Sequence, residues 1–459
     1  MAHHVALVST YDLGRQPVGL ASPAAVLRAA GADVHVLDVS VDPLDETAIR
    51  DAAVVAFFVP MHTAARLTQG LISKVRDLEP RAHLCAYGLY APLNEHHFRR
   101  LGVETILGGE YETGLLELYQ RLIAEPRPRR TVAIPVISLD HQSLHTPDRT
   151  GLPPLERYAF LRLPGGAQRI VGYTEASRGC RHRCRHCPVV PIYDGHFIPV
   201  PATVVIEDIR QQVAAGARHI TFGDPDFFNG PAHSRRIVHL LHEQFPAVTY
   251  DVTIKVEHLC QYEALLTELA ATGCVLVTSA VESFDAVILE RFEKQHTAED
   301  FEHALAACRR AGLAFNSTFV AFTPWTTIDG YRAFLDRVAH LGLVGNVAPV
   351  QYAIRLLVTA SSRLLELPDV VELLQPFDEA ALFYPWRHPD PAVDELYEEV
   401  MAVVAHAEST GLSRREIYRQ VRSVAGAGAV DLSDDQEIPS LSEPWYCCAE
   451  PTSEQLARL

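Results

Sequence analysis

Short apolar runs alternate with amphipathic runs along the first part of the chain, from Val5 to about Ile123. The apolar runs include HVALVST, DVHVLDV, AVVAFFVP and AHLCAYG, and SPAAVLRAAG and LTQGLISKVRDL lie between them. Alternating strands and helices predict a doubly wound parallel sheet with helices on both faces. Ligands of such sheets bind at the carboxyl ends of the strands. The loops predicted to line a site are therefore residues 9–19, 60–64, 87–92 and 108–112.

The alternation resumes at a longer period from Ile170 to about Leu357. The apolar runs are IVGYTEAS, HITFGD, YDVTIKV, CVLVTSA, AFNSTFVAF and VQYAIRLL, and helical runs such as TVVIEDIRQQVAAG separate them. Such units predict a partial (β/α)6 version of the eight-stranded α/β barrel, with its chemistry at the carboxyl-end face. Beyond Ala360 the pattern becomes helical.

These patterns divide the chain into five predicted segments of an α/β protein. Residues 125–131 (EPRPRRT) and 139–154 are rich in turn formers and poor in periodicity, which indicates a linker between the two α/β parts. The predicted segments are an α/β domain at 1–130, a linker at 131–169, a barrel at 170–360, a helical extension at 361–440 and a tail at 441–459.

Composition and charge narrow the classes of function. The chain has 459 residues, 48% of them apolar, which is enough for sizeable cores. Its net charge of −17 repels polyanions and disfavours a nucleic-acid partner. No apolar run approaches the roughly 18 residues of a membrane span, and the N-terminus lacks a signal-peptide pattern. We therefore expect a cytoplasmic protein without a membrane partner, whose nine cysteines are metal ligands, catalytic thiols or core residues rather than disulfides.

Three cysteines lie in the loop after the first predicted barrel strand, in the run SRGCRHRCRHCPVVP. Cys180, Cys184 and Cys187 are spaced four and then three residues apart, so one loop can wrap three thiolates around an inorganic cluster. Thiolates are the ligands that iron–sulfur clusters select, and a cube of four irons needs four ligands. Three cysteines leave one iron open to a small chelating molecule.

A zinc site is the alternative for the same loop. His182 or His186 could supply a fourth ligand, but zinc sites typically combine two separated pairs of ligands. A second pair is not found where a zinc ribbon or finger would place it. The spacing therefore favours the iron–sulfur interpretation.

At these residues the sequence resembles the radical S-adenosylmethionine (SAM) enzymes, whose signature is this three-cysteine spacing. The resemblance covers roughly residues 170–357. It implies a [4Fe-4S] cluster whose open iron chelates SAM, and reductive homolysis of a carbon–sulfur bond to make a carbon radical. It also implies an electron donor such as flavodoxin or ferredoxin. The residue before the last cysteine, often aromatic and in contact with adenine in that family, is His186 here.

Three further runs agree with this resemblance. HITFGDPDFF matches the end of the family's second strand, which holds the SAM amino group, and CVLVTSAVESFD matches the fourth-strand motif that contacts SAM. VQYAIRLL matches the sixth strand, whose arginine is expected either to hold the cofactor or to pair with a barrel carboxylate. The resemblance therefore implies more cofactor-binding residues, which are Gly223, Asp224, Asp226, Glu282, Ser283 and Arg355.

The first domain resembles the cobalamin-binding domain that precedes the barrel in one subclass of radical SAM enzymes. The matching runs are PVGLASPAAVLRAAGADVHVLD and ETILGGEYETGLLEL. The Asp-x-His-x-x-Gly motif that supplies an axial histidine is missing, because that loop reads STYDLGRQPVG. Tyr87-Gly88, followed by Tyr90, stands in place of the usual Gly-Gly. Cobalamin binding stays open, and the alternative is a sheet that docks on the barrel and shapes its mouth.

Cys447 and Cys448 form an adjacent pair near the C-terminus. The run CCAEP resembles the tail of the CUAEP/CCAEP-tail radical SAM proteins, in which selenocysteine can replace one of the pair. A position that accepts sulfur or selenium indicates a soft nucleophile. The pair could ligate a cluster iron, act as a redox pair or capture a soft electrophile, and the alternative is two thiols without a role. Trivalent arsenic binds adjacent thiolates, and other Cys-tailed radical SAM proteins resemble enzymes of organoarsenical biosynthesis, so arsenite is the leading predicted substrate.

Together these features predict a radical SAM enzyme that transfers a 3-amino-3-carboxypropyl group to arsenite held by the tail cysteines. One alternative is a cobalamin-dependent radical SAM methyltransferase or another 5′-deoxyadenosyl-radical enzyme on an unknown small molecule. The alternative from another class is a cluster- or cobalamin-based redox sensor. A sensor needs an output module, and none is visible in the sequence.

Overall fold

The first part of the chain forms the predicted doubly wound sheet. The computed structural model describes residues 4–124, 136–432, 437–443 and 455. Within them, this sheet has six parallel strands in the order β2-β1-β3-β4-β5-β6. The strand order changes direction at β1, which is where ligands of such sheets bind. The strands are β1 (His4–Ser9), β2 (Asp33–Asp38), β3 (Val54–Phe58), β4 (His83–Tyr87), β5 (Thr105–Gly109) and β6 (Ile137–Ser138).

Helices cover both faces of this sheet, because successive side chains of its strands enter opposite cores. In β3, Val55 and Phe57 enter one core, and Val54 and Ala56 enter the other. Strands buried on both faces read as continuous apolar runs, which explains the AVVAFF pattern. The helices are α1 (Val18–Ala29), α2 (Glu46–Ile49), α3 (His62–Leu78), α4 (Tyr90–Leu93), α5 (Glu95–Arg100) and α6 (Glu112–Ala124).

The second sheet is an open, partial barrel in the order β14-β13-β12-β11-β8-β7-β15. Its strands from β8 to β14 are parallel, whereas β7 and β15 are antiparallel to their neighbours. The strands are β7 (Phe160–Arg162), β8 (Gln168–Thr174), β11 (His219–Phe222), β12 (Thr249–Thr253), β13 (Cys274–Glu282), β14 (Ala314–Phe319) and β15 (Ser440–Leu441). A separate antiparallel ribbon pairs β9 (Ser177–Gly179) with β10 (Phe197–Pro199).

Helices between and beyond these strands pack on the barrel core, which the two long C-terminal helices complete through Val400, Tyr418 and Val421. The barrel helices are α7 (Val190–Tyr193), α8 (Ala202–Ala214), α9 (Pro231–Gln244), α10 (Val256–Gln261), α11 (Ala264–Ala271), α12 (Ala286–Arg291), α13 (Ala298–Arg310) and α14 (Ile328–His340). They are followed by α15 (Pro368–Val371), α16 (Pro391–Thr410) and α17 (Arg414–Val424). In the described part of the chain, no helix is long and apolar enough to cross a membrane.

The sixth predicted barrel strand is reduced to a single bridge. Pro349–Tyr352 forms a 3-10 helix, and Arg355 makes one parallel bridge with Phe322 beyond β14. Pro349 cannot donate a ladder hydrogen bond and suits the first turn of a helix, so the apolar run VQYAIRLL does not extend into a strand. The α/β class and the partial barrel are confirmed, and its sixth position is occupied by this bridge.

The stretch predicted as a linker contributes strands to both sheets. β6 joins the edge of the first sheet, and β7 joins the barrel sheet next to β8. Arg149 of this stretch forms a buried ion pair with Asp208 of α8, with Nε 2.8 Å from Oδ1. The segment between the domains is therefore packed against both of them.

Candidate active site

One cavity lies where the carboxyl ends of the two sheets face each other. Its volume is about 280 Å³, close to the lower end of small-molecule sites. Each of the four loops predicted to line a site contributes side chains, so that prediction is confirmed. The lining residues from the first domain are Asp12, Leu13, Arg15, Phe58, Pro60, Met61, Gly88, Leu89, Tyr90, Gly109 and Tyr111.

The three cysteines of the CRHRCRHC loop line the same cavity. Cys180 and Cys184 are buried and Cys187 is half-buried. The loop starts at Gly179, whose φ of 75° favours glycine and where a Cβ would collide with the carbonyl oxygen of His196. Glycine at this position therefore lets the loop turn from β9 into the cavity.

The spacing of the thiols fits a cluster better than a single zinc ion. Around one zinc ion, ligand sulfurs lie within about 4 Å of one another, because each is about 2.3 Å from the metal. Among the described residues, the three cysteines do not form a group with all ligand atoms within 4.8 Å. The buried ammonium of Lys294 is electrostatically coupled to Cys184 and Cys187, which suits an anionic thiolate cluster. The donor set therefore fits the iron–sulfur cube.

Glu282 ends β13 at the wall of the cavity. Its carboxylate lies 2.9 Å from Nε2 of His186 and 3.3 Å from Nζ of Lys294. Its φ of 67° is rare for a residue with a Cβ, and it lies at a register shift between β13 and β14. Burial raises the pKa of Glu282, but Lys294 and His186 outweigh it and lower the pKa to about 2. The cavity therefore contains a fixed carboxylate, at a position predicted to hold SAM.

The GDPD run after β11 divides between two environments. Gly223 and Asp224 line the cavity, and a Cβ at Gly223 would collide with the hydroxyl of Tyr173. Asp224 accepts hydrogen bonds from the amide of Ala176 and the hydroxyl of Ser177, at 2.9 and 2.5 Å. Burial raises the pKa of Asp224 to about 7. Its oxygens therefore hold the segment that leads into the cysteine loop.

Three predicted cofactor residues are not among those that line this cavity. Asp226 lies in contact with His182 and His258. Ser283 lines a separate cavity, and its Oγ accepts a hydrogen bond from the amide of Asp285. Contacts of these side chains with SAM stay predictions.

Arg355 is the third of them. Its guanidinium pairs with Asp394 of α16 at 2.8 Å and stacks 3.8 Å above the ring of Trp386. Of its two expected roles, the structure shows an ion pair, but with a carboxylate of the helical extension rather than of the barrel.

The predicted tail cysteines, Cys447 and Cys448, lie outside the described residues. The last described residue before the cysteine pair is Glu443, whose carboxylate accepts a hydrogen bond of 2.5 Å from the hydroxyl of Tyr11. Tyr11 directly precedes Asp12 of the cavity wall. Before the cysteine pair the chain therefore contacts the loop that carries Asp12, at a second cavity lined by Tyr11 and Glu443.

Sequence reasoning missed a buried charge network that joins the two domains. Arg178 of β9 contacts Glu112 at 2.7 Å, Glu110 at 3.3 Å and Glu175 at 2.9 Å. The side chains of Arg178, Glu110 and Glu112 are 8%, 1% and 2% exposed. Charged residues in two otherwise apolar contexts, GGEYE and EASRG, were the available signal. The network fixes the start of the cysteine loop against the first domain.

Asp12 is a second missed residue. It lines the cavity beside Arg15, and burial raises its pKa to about 7. A carboxyl group with a pKa near neutrality can both donate and accept a proton under ordinary conditions. Asp12 is therefore a candidate general acid or base on the first-domain side of the cavity.

The first domain's edge does not fit a corrin well. A Cβ at Gly19 or Gly88 would meet the ring of Phe58, so the space that these glycines leave is filled by the chain itself. The rings of Phe58, Tyr87 and Tyr111 pack together at this edge, with centroids 5.0 to 6.2 Å apart. Among the described residues, no histidine of the first domain lines the cavity. Within the described residues, the edge therefore offers an aromatic wall and no axial histidine.

Comparisons with known proteins define the class. Residues 174–333 match the Radical SAM superfamily. The radical SAM methyltransferase TsrM from Kitasatospora setae, solved with cobalamin and a [4Fe-4S] cluster, is similar at 16% identity and a TM-score of 0.63, over 92% of this chain and 100% of that one. The cobalamin-dependent SAM radical enzyme OxsB, solved with aqua-cobalamin and SAM, is similar at 14% identity and a TM-score of 0.67, over 92% of this chain and 71% of that one.

The chain therefore carries a radical SAM domain and is an enzyme of the radical SAM class, with a [4Fe-4S] cluster and SAM as its cofactors. Its two-domain fold is that of the cobalamin-dependent radical SAM enzymes.

Proposed function

We propose that this enzyme cleaves SAM reductively and directs the resulting carbon radical at a small molecule held between the two domains. The observation that carries the proposal is that the three cysteines, Glu282 and the carboxyl edge of the first sheet line one cavity. A [4Fe-4S] cluster held by Cys180, Cys184 and Cys187 would supply the electron for carbon–sulfur cleavage. The chain's own residues then bind SAM, exclude water and provide a proton.

In addition to the GDPD run, which the resemblance assigns to the amino group of SAM, we propose that Glu282 binds this group. Lys294 and His186 hold its carboxylate in place, and the depressed pKa keeps it ionised. A charge-assisted hydrogen bond from an ammonium to such a carboxylate contributes about 1.5–3 kcal/mol. Aromatic side chains on both sides of the cavity, Tyr90 and Tyr111 facing Tyr173 and Phe222, exclude water from a reactive radical.

We further propose that the tail cysteines present arsenite to this cavity. The support is the contact between Glu443 and Tyr11, which directly precedes Asp12 of the cavity wall, although Tyr11 and Glu443 themselves line a second cavity. Cys447 is four residues beyond Glu443, a separation that an extended chain spans within about 14 Å. Transfer of a 3-amino-3-carboxypropyl radical to arsenite forms a carbon–arsenic bond and leaves 5′-methylthioadenosine. One electron cleaves SAM. A second electron and a proton convert an arsenic hydroxyl into water. Asp12, which lines the cavity and has a pKa of about 7, would donate that proton.

The test is mass spectrometry of SAM products from anaerobically reconstituted, reduced protein with and without arsenite. We expect 5′-methylthioadenosine and an arsenic-bearing amino acid, and no cleavage by the Cys184→Ala variant. Formation of 5′-deoxyadenosine regardless of arsenite would retain the enzyme class and overturn the arsenite proposal. A methylated product that requires added cobalamin would favour the methyltransferase alternative, which the folds of TsrM and OxsB suggest. Absence of SAM cleavage under all conditions would overturn the proposed function.

Changing both tail cysteines to serine tests their role separately. The variant Cys447→Ser/Cys448→Ser should cleave SAM within about threefold of the wild-type rate, because the cluster and Glu282 are untouched. It should lose the arsenic-bearing product, because hydroxyls do not bind trivalent arsenic as thiolates do. The matched control is Cys260→Ser, whose half-buried thiol donates to the carbonyl of Asp300 outside the cavity. Unchanged product from the double variant would remove the tail from the mechanism.

A further inference from the structure

Three side chains from three different elements converge beneath the cysteine loop. His182 belongs to the loop itself, Asp226 caps the 3-10 helix Phe227–Asn229 after β11, and His258 lies on α10. Oδ2 of Asp226 is 3.3 Å from Nε2 of His182 and 2.6 Å from Nδ1 of His258. In the described part of the chain this is the one group of His, Cys, Asp or Glu side chains whose ligand atoms all lie within 4.8 Å of one another.

The convergence is not an ordinary hydrogen-bonded triad. Nε2 of His182, Oδ2 of Asp226 and Nδ1 of His258 are all buried, and none of them has a partner with hydrogen-bond geometry. The side chains of His182 and His258 are 9% and 10% exposed, and that of Asp226 is fully buried. Buried polar atoms are nearly always satisfied in native proteins, so three that meet in one place without hydrogen-bond geometry mark a position that a metal ion would satisfy.

Groups outside the convergence orient two of its members. Oδ1 of Asp226 accepts a hydrogen bond from the amide of Phe228 at 3.2 Å, which leaves Oδ2 facing the histidines. Nδ1 of His182 is 3.5 Å from Oε2 of Glu257, an ion-pair contact without hydrogen-bond geometry, and its Nε2 faces Asp226. A carboxylate behind the second nitrogen of a histidine is the usual arrangement around a metal ion.

We propose that His182, Asp226 and His258 bind one divalent first-row transition-metal ion, Zn²⁺ or Fe²⁺, separate from the iron–sulfur cluster. Two imidazoles and one carboxylate are a ligand set that both ions accept. Ligands about 2.1 Å from a common tetrahedral ion lie about 3.4 Å apart. The 3.3 Å contact between His182 and Asp226 matches this spacing, and the 2.6 Å contact between Asp226 and His258 would lengthen on metal binding.

The site would retain an open position. Three protein ligands leave at least one coordination position for water or substrate. His182 and Lys255 line the main cavity, whereas Asp226 and His258 are not among the residues that line it. The ion would therefore anchor the cysteine loop through His182 and offer a Lewis-acidic position to an oxyanion or thiolate at the cavity wall. This inference stands whether or not arsenite is the substrate.

Metal analysis of the reconstituted holoenzyme, supplied with Zn²⁺ and then desalted, tests the site. We expect about one zinc ion per chain beyond the roughly four irons of the cluster. His258→Ala and the nearly isosteric Asp226→Asn should each lose this zinc and keep the cluster iron, because neither residue belongs to the cysteine loop. His239→Ala is the matched control, since its side chain is 56% exposed and pairs with Glu268 on the surface. A fifth iron, lost in the same two variants, would support the same site with Fe²⁺.

Zinc K-edge X-ray absorption of the wild-type holoenzyme decides the question without any variant. The expected first shell contains nitrogen and oxygen at about 2.0–2.1 Å with the multiple scattering of imidazole. A sulfur shell near about 2.3 Å would place the zinc on the cysteines and overturn the proposal. Equal zinc in the wild type and in His258→Ala, or no fifth metal ion in the wild type, would overturn it as well.

Discussion

Replacing Glu282 with glutamine should weaken SAM binding by about 10- to 150-fold, because the substitution removes a charge-assisted hydrogen bond worth about 1.5–3 kcal/mol. It also leaves Lys294, whose side chain is 3% exposed, without its counter-charge. Removing one partner of a buried ion pair typically costs about 3–5 kcal/mol of the free energy of unfolding. SAM affinity by isothermal titration calorimetry and the chemical-denaturation midpoint measure the two effects separately.

The matched control is Glu290→Gln on the exposed surface of α12. It should change neither SAM affinity nor the denaturation midpoint, since exposed carboxylates contribute little. Wild-type SAM affinity in Glu282→Gln, with a lowered denaturation midpoint, would show that the carboxylate serves the fold and not the cofactor.

The depressed pKa of Glu282 also predicts how the free energy of unfolding depends on pH. The pKa of Glu282 falls from 4.5 to about 2 in the folded protein, so its stabilising effect is complete above pH 4.5 and is lost as the pH falls through 2. The difference in stability between wild type and Glu282→Gln should therefore be constant from pH 5 to 8 and shrink on acidification. A difference that shrinks as the pH rises would contradict the depressed pKa.

The parts of the site that could be predicted from sequence are those set by local spacing. Cys180, Cys184 and Cys187 lie in one short loop, so their convergence needs no knowledge of the rest of the fold. The lining loops of the first domain follow from a general property of parallel sheets, whose strands all end at one edge. Both predictions rest on rules that hold whatever side chains surround the cysteines and the lining loops.

Glu282 and Ser283, adjacent residues of one motif, show what such rules do not predict, which is the side chain that reaches the cavity. A strand directs successive side chains to opposite faces, and a register shift changes which face each one occupies. Glu282 lies at such a shift with a positive φ and lines the main cavity, whereas Ser283 does not; both residues also line a separate cavity. Sequence identifies the motif, but the local backbone decides which of its residues reach the ligand.

Contacts between segments distant in the sequence could not be predicted, for a different reason. The pairing of Arg178 with Glu110 and Glu112 spans 66 to 68 residues and depends on how the two domains dock. The convergence of His182, Asp226 and His258 likewise joins a loop, a strand end and a helix. In a single sequence each of these residues reads as a solvated charge, because nothing local distinguishes a buried polar group from an exposed one.

We expect a second large effect, on stability and on iron content, when Arg178 of the interdomain charge network is replaced. Its guanidinium pairs with Glu110 and Glu112 of the first domain. Burial raises the pKa of Glu110 despite Arg178, whereas Arg178 outweighs burial at Glu112 and lowers the pKa of that carboxyl. Ser22 and Gln142 also donate hydrogen bonds to Glu112, but neither carries a charge. The two carboxylates therefore depend on one cation, which lies two residues before Cys180.

Replacing Arg178 with methionine should lower the free energy of unfolding by about 3–5 kcal/mol, because two buried carboxylates lose their counter-charge. It should also lower the iron content after reconstitution, since the cysteine loop loses its anchor on the first domain. The matched control is Arg157→Met, which breaks an interdomain pair with Asp42 whose side chains are 46% and 49% exposed, and which should cost at most about 1 kcal/mol. Adding Glu110→Gln and Glu112→Gln to Arg178→Met should recover part of the stability, because uncharged amides are less costly to bury. If Arg178→Met and Arg157→Met shift the denaturation midpoint equally, domain docking does not depend on the buried charges, and apolar contacts such as those of Val189, Ile192 and Tyr193 hold the cysteine loop against the first domain.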